Sequence, residues 1–290
     1  MISIDNTAKI LDGTMAAKAV TASLAEKIKR YENTAKRSPA LSVILVGDNP
    51  ASEVYVKNKI NTCKKIGIES ILKRYPSDVS KEELISCINQ LNDTDTIDGI
   101  LVQLPLPSHL PTNEVLDHIK PDKDVDGLHP YNLGLLFAGV TGLQPCTPKG
   151  VIALLQHYQI PIKGKNVIVI GRSNLVGKPV ASLLLQQDAT VTICHSRTEN
   201  LSTICRQADI LVVAAGKQEM VTAEWIKPGA CVIDVGIHRT DNSKLVGDVN
   251  FDDVKKVASY ITPVPGGVGK MTVAMLMANT VQAYEKHMEM

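Results

Sequence analysis

The sequence predicts an α/β fold of two domains, each with helices packed on a parallel sheet. Three observations carry that expectation. Residues 167–170 form an unbroken apolar run, as suits a central parallel strand buried on both faces. Gly171 ends the run, and Gly177, Pro179 and an apolar-periodic stretch to Leu185 follow. That order gives a strand, a glycine-bearing turn and a helix, the layout of a phosphate cradle in a dinucleotide-binding (Rossmann-like) unit. The first half of the chain alternates strand and helix patterns, as a parallel sheet requires. With 290 residues, 44% of them hydrophobic and 21% charged, there is material for two packed cores.

The individual elements read as follows. Ala17, Val20, Leu24 and Ile28 recur at helical spacing, so 14–31 is expected to be a helix. Residues 41–46 read as a strand closed by the turn cluster Gly47-Asp48-Asn49-Pro50, 51–66 as a helix stopped by Gly67, and 68–75 as a strand. Ser80 followed by Glu83 forms a capping box for the next helix. DGILVQL at 98–104 is a further strand, and Pro105, Pro107 and Pro111 mark the loop after it. PDKDVDG at 121–127 reads as an acidic–basic turn. Thr147 is expected to cap a helix with Pro148 in its first position, which places the domain boundary there. The expected divisions are 1–147, 148–270 and a final helical piece, 271–290. Strands follow at 190–194, 209–213, 230–235 and 259–261. PVPGGVG at 263–269 is expected to be a flexible loop. The last helix, 271–286, turns Met271, Ala274, Met275 and Ala278 to one face as core filler.

Composition excludes several classes. Lys and Arg number 31 against 30 Asp and Glu, a balance unsuited to gripping a phosphate backbone. Two Phe, one Trp and seven Tyr are too few for base-stacking platforms, so no nucleic-acid partner is expected. Six scattered Cys without a C-x-x-C pair suggest buried, reduced thiols in a cytoplasmic protein. The seven His lack metal-ligand spacing, and no metal is expected. No signal peptide opens the chain and no apolar run would span a bilayer, so no membrane partner is expected.

Chemistry-bearing residues fall in two groups. In the first, Gly171 and Gly177 lack the usual G-x-G-x-x-G spacing. The second strand of this unit ends in His195-Ser196-Arg197-Thr198, where an acid usually grips the ribose 2′-hydroxyl; here the first acid is Glu199. Arg172, Ser196 and Arg197 could hold a 2′-phosphate by charge-assisted bonds, which reads as NADP rather than NAD. Two solvated arginines on a loop fit the same residues. In the second group, Tyr55 and Lys59 share a helix face four residues apart, with Ser52 on the same helix. Such a pair can transfer protons, or be a solvated pair. Gln103 near the end of an apolar strand is costly unless bonded or aimed into a site. Asp126, beside Gly127, could serve a site or only its own turn.

Together these residues resemble the bifunctional methylenetetrahydrofolate dehydrogenase/cyclohydrolase family, almost end to end. The strings are YVKNK at 55–59, GILVQLPLP at 99–107, KDVDG at 123–127, PCTPKG at 145–150, VIGRS at 169–173 and PVPGGVG at 263–269. The resemblance implies two α/β domains with a cleft between them, a final helix returning to the first, and a homodimer. It implies NADP-dependent oxidation of methylenetetrahydrofolate and hydrolysis of the methenyl product, in one-carbon metabolism and purine biosynthesis. Lys59 would be the catalytic lysine, Tyr55 would stack on or orient the folate, Gln103 would set the charge state of Lys59, and Asp126 would hold the amino-pyrimidine edge. Ser52, Val102 and Leu104 would support or touch the substrate, and Pro265, Gly266 and Gly269 would border its pocket. Gly171, Arg172, Ser173, Ser196, Arg197 and Ile237 would line the NADP site. One departure is Lys270, where the family carries proline; it removes a fixed φ and adds a cation. The rival readings are a dehydrogenase without cyclohydrolase activity, a shikimate-type NADP dehydrogenase, which the VQLPLP and PGGVG strings speak against, and a nucleotide-sensing protein that kept the fold.

Overall fold

The computed structural model describes residues 7–31 and 37–289. After the short strand β1 (Lys9–Ile10), the Asp12 carboxylate accepts from the N–H of Thr14 at 2.7 Å and starts helix α1 (Gly13–Tyr31). Strand β2 (Ala40–Val46) is buried at every position. The Asn49 side chain accepts from the N–H groups of Ala51 and Ser52, Pro50 takes the first helical position, and α2 (Pro50–Ile66) follows. Gly67 closes α2 in the left-handed region at φ 87°. Next come β3 (Glu69–Tyr75), α3 (Lys81–Asn92) capped by Ser80, β4 (Gly99–Val102), α4 (Thr112–Asp117) and α5 (Pro130–Phe137). The three strands form an all-parallel sheet in the order β3-β2-β4. Its first strand lies in the middle, so the chain leaves β2 in opposite directions to reach β3 and β4. The crevice at the carboxyl ends of β2 and β4 is where such sheets bind ligands. Ile44, Leu84, Ile88, Ile97 and Ile100, all buried, fill one side of this sheet, at roughly 1.5–3 kcal/mol of stabilisation per large side chain.

The rest of the chain supplies α6 (Cys146–His157), β5 (Asn166–Ile170), α7 (Gly177–Gln186), β6 (Thr190–Cys194), α8 (Leu201–Cys205), β7 (Ile210–Val213), β8 (Cys231–Asp234), the hairpin β9 (His238–Arg239) and β10 (Leu245–Val246), α9 (Phe251–Val254), β11 (Tyr260–Ile261) and α10 (Val268–His287). A six-stranded parallel sheet runs β1-β11-β8-β7-β5-β6. Apart from the edge strand β1, the earliest strand of this sheet, β5, is again internal, and the order reverses between β5 and β7.

By internal contacts, the described residues of Lys18–Cys146 and Val273–Met290 form one compact unit, and those of Met1–Ala17 and Thr147–Thr272 the other. In the first, Tyr284 donates its hydroxyl to the Arg37 carbonyl at 2.8 Å. The Arg37 guanidinium in turn binds both carboxylate oxygens of Asp98, at 2.6 and 2.8 Å. His287 joins the same carboxylate at 3.1 Å. Burial pushes the Asp98 pKa up, but Arg37, His287 and the Ala40 N–H together outweigh it and hold the group below its ordinary value.

The structure departs from the sequence expectations in four places. Residues 9–10 pair with β11 and so extend the second unit's sheet, not the first's. Helix α6 starts at Cys146, before Thr147, whose hydroxyl instead meets that of Thr272 at 2.9 Å. The string at 263–269 is not wholly loop: α10 already includes Val268 and Gly269. Ala278 is only half-buried, whereas Met271, Ala274 and Met275 are core.

Candidate active site

Helix α2 places Ser52, Tyr55 and Lys59 within two turns. The Ser52 side chain is buried, while Tyr55 is 38% exposed and half-buried Lys59 lies one turn further on. From the end of β4, Gln103 meets Lys59: Lys59 Nζ donates to Gln103 Oε1 at 2.9 Å. The amide is oriented by its other end, because Nε2 donates to the Leu104 carbonyl at 2.6 Å. Thus the costly amide of the sequence reading is bonded at both its oxygen and its nitrogen, with its acceptor turned to the lysine. Val102 packs in the apolar cluster beneath the sheet, leaving only its backbone to face a ligand. Leu104 is half-buried.

KDVDG carries two carboxylates with different surroundings. Buried Asp124 ties the turn together: it accepts from the N–H of Gly127 at 3.2 Å and of His129 at 2.8 Å, and from Asn132 Nδ2 at 2.8 Å. Burial raises the Asp124 pKa against those bonds. Half-buried Asp126 forms no side-chain hydrogen bond among the described residues, so its carboxylate is not spent on the turn. Its charge acts on Lys59, although the two do not form an ion pair within 4.0 Å. Burial is the larger influence and lowers the Lys59 pKa, while Asp126, Cys146 and Cys63 oppose the shift. The result is a desolvated amine with a larger neutral fraction than an exposed lysine, held by one acceptor and facing a nearby carboxylate.

In the other unit, Gly171 follows β5 at φ 130°, and a Cβ there would lie 2.2 Å from the Ala214 carbonyl oxygen. A Cβ on Gly177 would stand 2.2 Å from the Gly171 oxygen. Only glycine permits this close contact of turn, strand end and helix start. Unpaired amides are expected at the start of α7, but Ser173 takes them: its Oγ accepts from Val176 at 3.1 Å and Gly177 at 3.4 Å, and its carbonyl from Lys178 at 3.1 Å. The N–H groups without a hydrogen bond, among the described residues, belong instead to the turn itself, Arg172, Ser173, Asn174 and Leu175. Successive free amides at a strand–helix turn suit an anion.

Arg172, Ser196 and Arg197 are exposed, and neither guanidinium has an ion pair among the described residues. The turn after β6 is fixed beneath them, with the His195 N–H donating to Thr198 Oγ1 at 2.9 Å and the Arg197 N–H to His195 Nδ1 at 3.2 Å. Ile237 is 44% exposed, and a Cβ on Gly269 would lie 3.3 Å from its Cδ1. Pro265 is exposed and Gly266 stands at φ 107°. The glycine cradle, free amides and unpaired cations fit a phosphorylated dinucleotide. Among the described residues no cluster of three His, Cys, Asp or Glu is placed to hold a metal ion. Sequence reasoning missed Asp124, Asn132 and Asn279, which build the turn around Asp126; the only signal was the paired acids of KDVDG.

This architecture defines a dinucleotide-binding α/β enzyme with a second, lysine-bearing unit. The description "Tetrahydrofolate dehydrogenase/cyclohydrolase, catalytic domain" matches residues 11–126, and the NAD(P)-binding domain of the same family matches 145–288. The "Bifunctional protein FolD" of Ligilactobacillus salivarius is 52% identical over 96% of this chain and 98% of its own. The crystal structure of the bifunctional FolD dehydrogenase/cyclohydrolase from Campylobacter jejuni matches at 46% identity and TM-score 0.93, covering 96% of this chain and 99% of that one. The Trypanosoma brucei dehydrogenase-cyclohydrolase, solved with NADP and an inhibitor, matches at 41% identity and TM-score 0.94, covering 98% and 99%. The chain belongs to the tetrahydrofolate dehydrogenase/cyclohydrolase family and is an enzyme of the bifunctional type.

Proposed function

We propose that this protein oxidises 5,10-methylenetetrahydrofolate to the 5,10-methenyl cation with NADP, and hydrolyses that cation to 10-formyltetrahydrofolate. The observation that carries the reading is the Lys59–Gln103 bond beside the uncommitted Asp126, in a chain that matches both family domains. Bound NADP supplies the hydride acceptor. The folate chemistry is assigned to the unit bearing Lys59, and the dinucleotide to the unit bearing Gly171.

Hydride transfer needs placement more than a strong base, because the substrate nitrogen's lone pair stabilises the developing cation. Tyr55, exposed beside Lys59, is suited to stack on the substrate, and Asp126 to bind its amino-pyrimidine edge. Hydrolysis makes a different demand: the attacking water loses a proton and a ring nitrogen gains one. Neutral Lys59 can take the first proton and return it, and Gln103 fixes the amine so that its lone pair points elsewhere. Ser52, Val102, Leu104, Pro265, Gly266 and Gly269 are assigned supporting or substrate contacts. Gly171, Ser173 and Ile237 are assigned to the dinucleotide, with Arg172, Ser196 and Arg197 on its 2′-phosphate; the unpaired guanidinium groups support that last assignment.

A homodimer is proposed through the β9–β10 hairpin, whose two-stranded sheet pairs with no other strand among the described residues and so leaves both outer edges for pairing. Six free, buried cysteines support a reducing, cytoplasmic setting.

The deciding experiment mixes the protein with methylenetetrahydrofolate and NADP and follows NADPH and the methenyl species separately. NADPH should form without lasting methenyl accumulation. Steady accumulation would instead favour a dehydrogenase without cyclohydrolase activity, and absence of both signals would refute the reading.

A further inference from the structure

Fully buried Asp248 and almost fully buried Asp234 lie outside every role assigned above. Asp234 ends β8 and accepts from the N–H groups of Gly236, Asp248 and Val249 at 2.9, 3.0 and 3.0 Å. Asp248 then accepts from three consecutive amides after β7: Ala215 at 2.6 Å, Gly216 at 3.0 Å and Lys217 at 2.9 Å. His238 Nε2, on the hairpin, completes the set at 2.7 Å from Asp248 Oδ1. The packing leaves no room for change: a Cβ on Gly236 would stand 2.4 Å from the Asp248 carboxylate, and one on Gly247 1.8 Å from that of Asp234.

These bonds hold the post-β7 loop, the Gly236–His238 segment and the returning strand end together. The loop begins beside Ala214, whose N–H reaches the Ile170 carbonyl at 2.7 Å and whose own oxygen abuts Gly171. It therefore borders the β5/β7 reversal, the crevice where this sheet order binds its ligand. Ile237, held between two fixed neighbours, presents an apolar side chain to solvent. Seven hydrogen bonds converge on the two carboxylates at this loop edge.

We propose that Asp248, with His238, is a positioning residue for dinucleotide binding: it fixes residues 215–217 and Ile237 as one wall of the crevice. The inference rests on assigning NADP to this unit. An amide at 248 loses the charge and brings N–H donors against the loop's own donors, so an acceptor for at least one buried amide disappears.

The test uses the full chain and the variants Asp248→Asn, His238→Ala and His238→Gln. It reads the NADP dissociation constant by calorimetry, the kinetics of both steps and the melting temperature. Asp248→Asn should weaken NADP binding by about tenfold or more, as loss of one buried charge-assisted bond does, and weaken NAD binding by the same factor. His238→Ala should act in the same direction, and His238→Gln, which keeps a donor toward Asp248, should restore most of the affinity. Hydrolysis of methenyltetrahydrofolate, which consumes no dinucleotide, should stay within about twofold in every folded variant. Unchanged NADP affinity in His238→Ala, or a parallel loss of hydrolysis and binding, would overturn the inference even if Asp248→Asn fails to fold. Wild-type protein that binds no NADP would overturn the cofactor reading, and this inference with it.

Discussion

Replacing Lys59 by Met separates the two chemistries assigned to this enzyme. Methionine keeps much of the length and apolar bulk but removes the proton-transfer group. A positioned acid–base group is worth roughly a hundredfold to ten-thousandfold, or about 2.7–5.4 kcal/mol of barrier, so hydrolysis should fall by that factor. Oxidation loses only whatever Lys59 adds to substrate placement, and should fall by about tenfold or less. Methenyltetrahydrofolate should then accumulate beside NADPH, where the wild type passes it on. Stability provides the control. The variant leaves Gln103 Oε1 without the Lys59 partner it meets at 2.9 Å, a cost of about 1–3 kcal/mol, but also removes a cation that burial disfavours. The effects oppose, and the melting temperature should move by no more than about 4 °C.

The pH profile sharpens the test. Burial lowers the Lys59 pKa, so the neutral base is populated at lower pH than for an exposed lysine. Wild-type hydrolysis should rise with pH to a plateau whose midpoint lies below the ordinary lysine value of about 10.4, and Lys59→Met should lose that limb. If Lys59→Met leaves hydrolysis and its pH profile intact while abolishing hydride transfer, the proton-transfer role is wrong, and Lys59 is a binding residue.

Four further outcomes are expected. Gln103→Glu places a carboxylate beside Lys59 Nζ, favours the protonated amine and should move the hydrolysis limb to higher pH; a shift to lower pH would contradict the assigned geometry. Arg172→Ala should raise the Michaelis constant for NADP far more than for NAD, and equal losses would defeat the 2′-phosphate assignment. Burial raises the Asp234 pKa to about 6 despite three backbone donors, so the stability of its protonated form is complete below about pH 4 and lost as pH rises through 6. Wild type should therefore lose roughly 1–2 kcal/mol against Asp234→Asn between pH 5 and 7 in denaturant titrations, and a constant difference would refute the shift. Light scattering at micromolar concentration should give twice the chain mass; a value near the 31.3 kDa of one chain would count against the dimer.

The fold was legible wherever a local pattern sufficed. The apolar run of β5, the full burial of β2, the Asn49–Pro50 start of α2 and the Ser80 cap each announce themselves within a few residues. Strand β1 does not: it has two residues, and its partner Tyr260 lies some 250 positions away in the chain. The β9–β10 hairpin and α9 are likewise too short for any periodicity. Helix α10 starts earlier than expected because Gly269 in its first turn, with Gly266 and Gly267 just before it, looks like loop. Within the site, the Tyr55–Lys59 spacing and the stray Gln103 were readable, since helix periodicity and the cost of a buried amide are local facts. Which KDVDG acid serves the turn was not, because Asn132 and His129, several residues downstream, claim Asp124. The carboxylate chain of Asp234 and Asp248 was invisible for the same reason.

A carboxylate can wait unpaired in a half-buried site only if something else holds its backbone, and here the last helix helps to do that. Asn279 spends both amide hydrogens, at 2.8 Å each, on the carbonyls of Val125 and Gln144. The Asp126 carbonyl accepts from the Cys146 N–H at 3.3 Å, and Asp124 closes the turn between them. The backbone around Asp126 is thus bound on both sides while its side chain remains available. Lys59 is arranged on the opposite principle, with one N–H taken by Gln103 and its charge disfavoured by burial. Moving Asp126 closer would complete an ion pair, raise the lysine pKa and quench the base; withdrawing it would lose the substrate's polar edge. On the roles proposed for the two groups, their separate anchoring would let one unit bind a cationic intermediate and keep a neutral amine beside it.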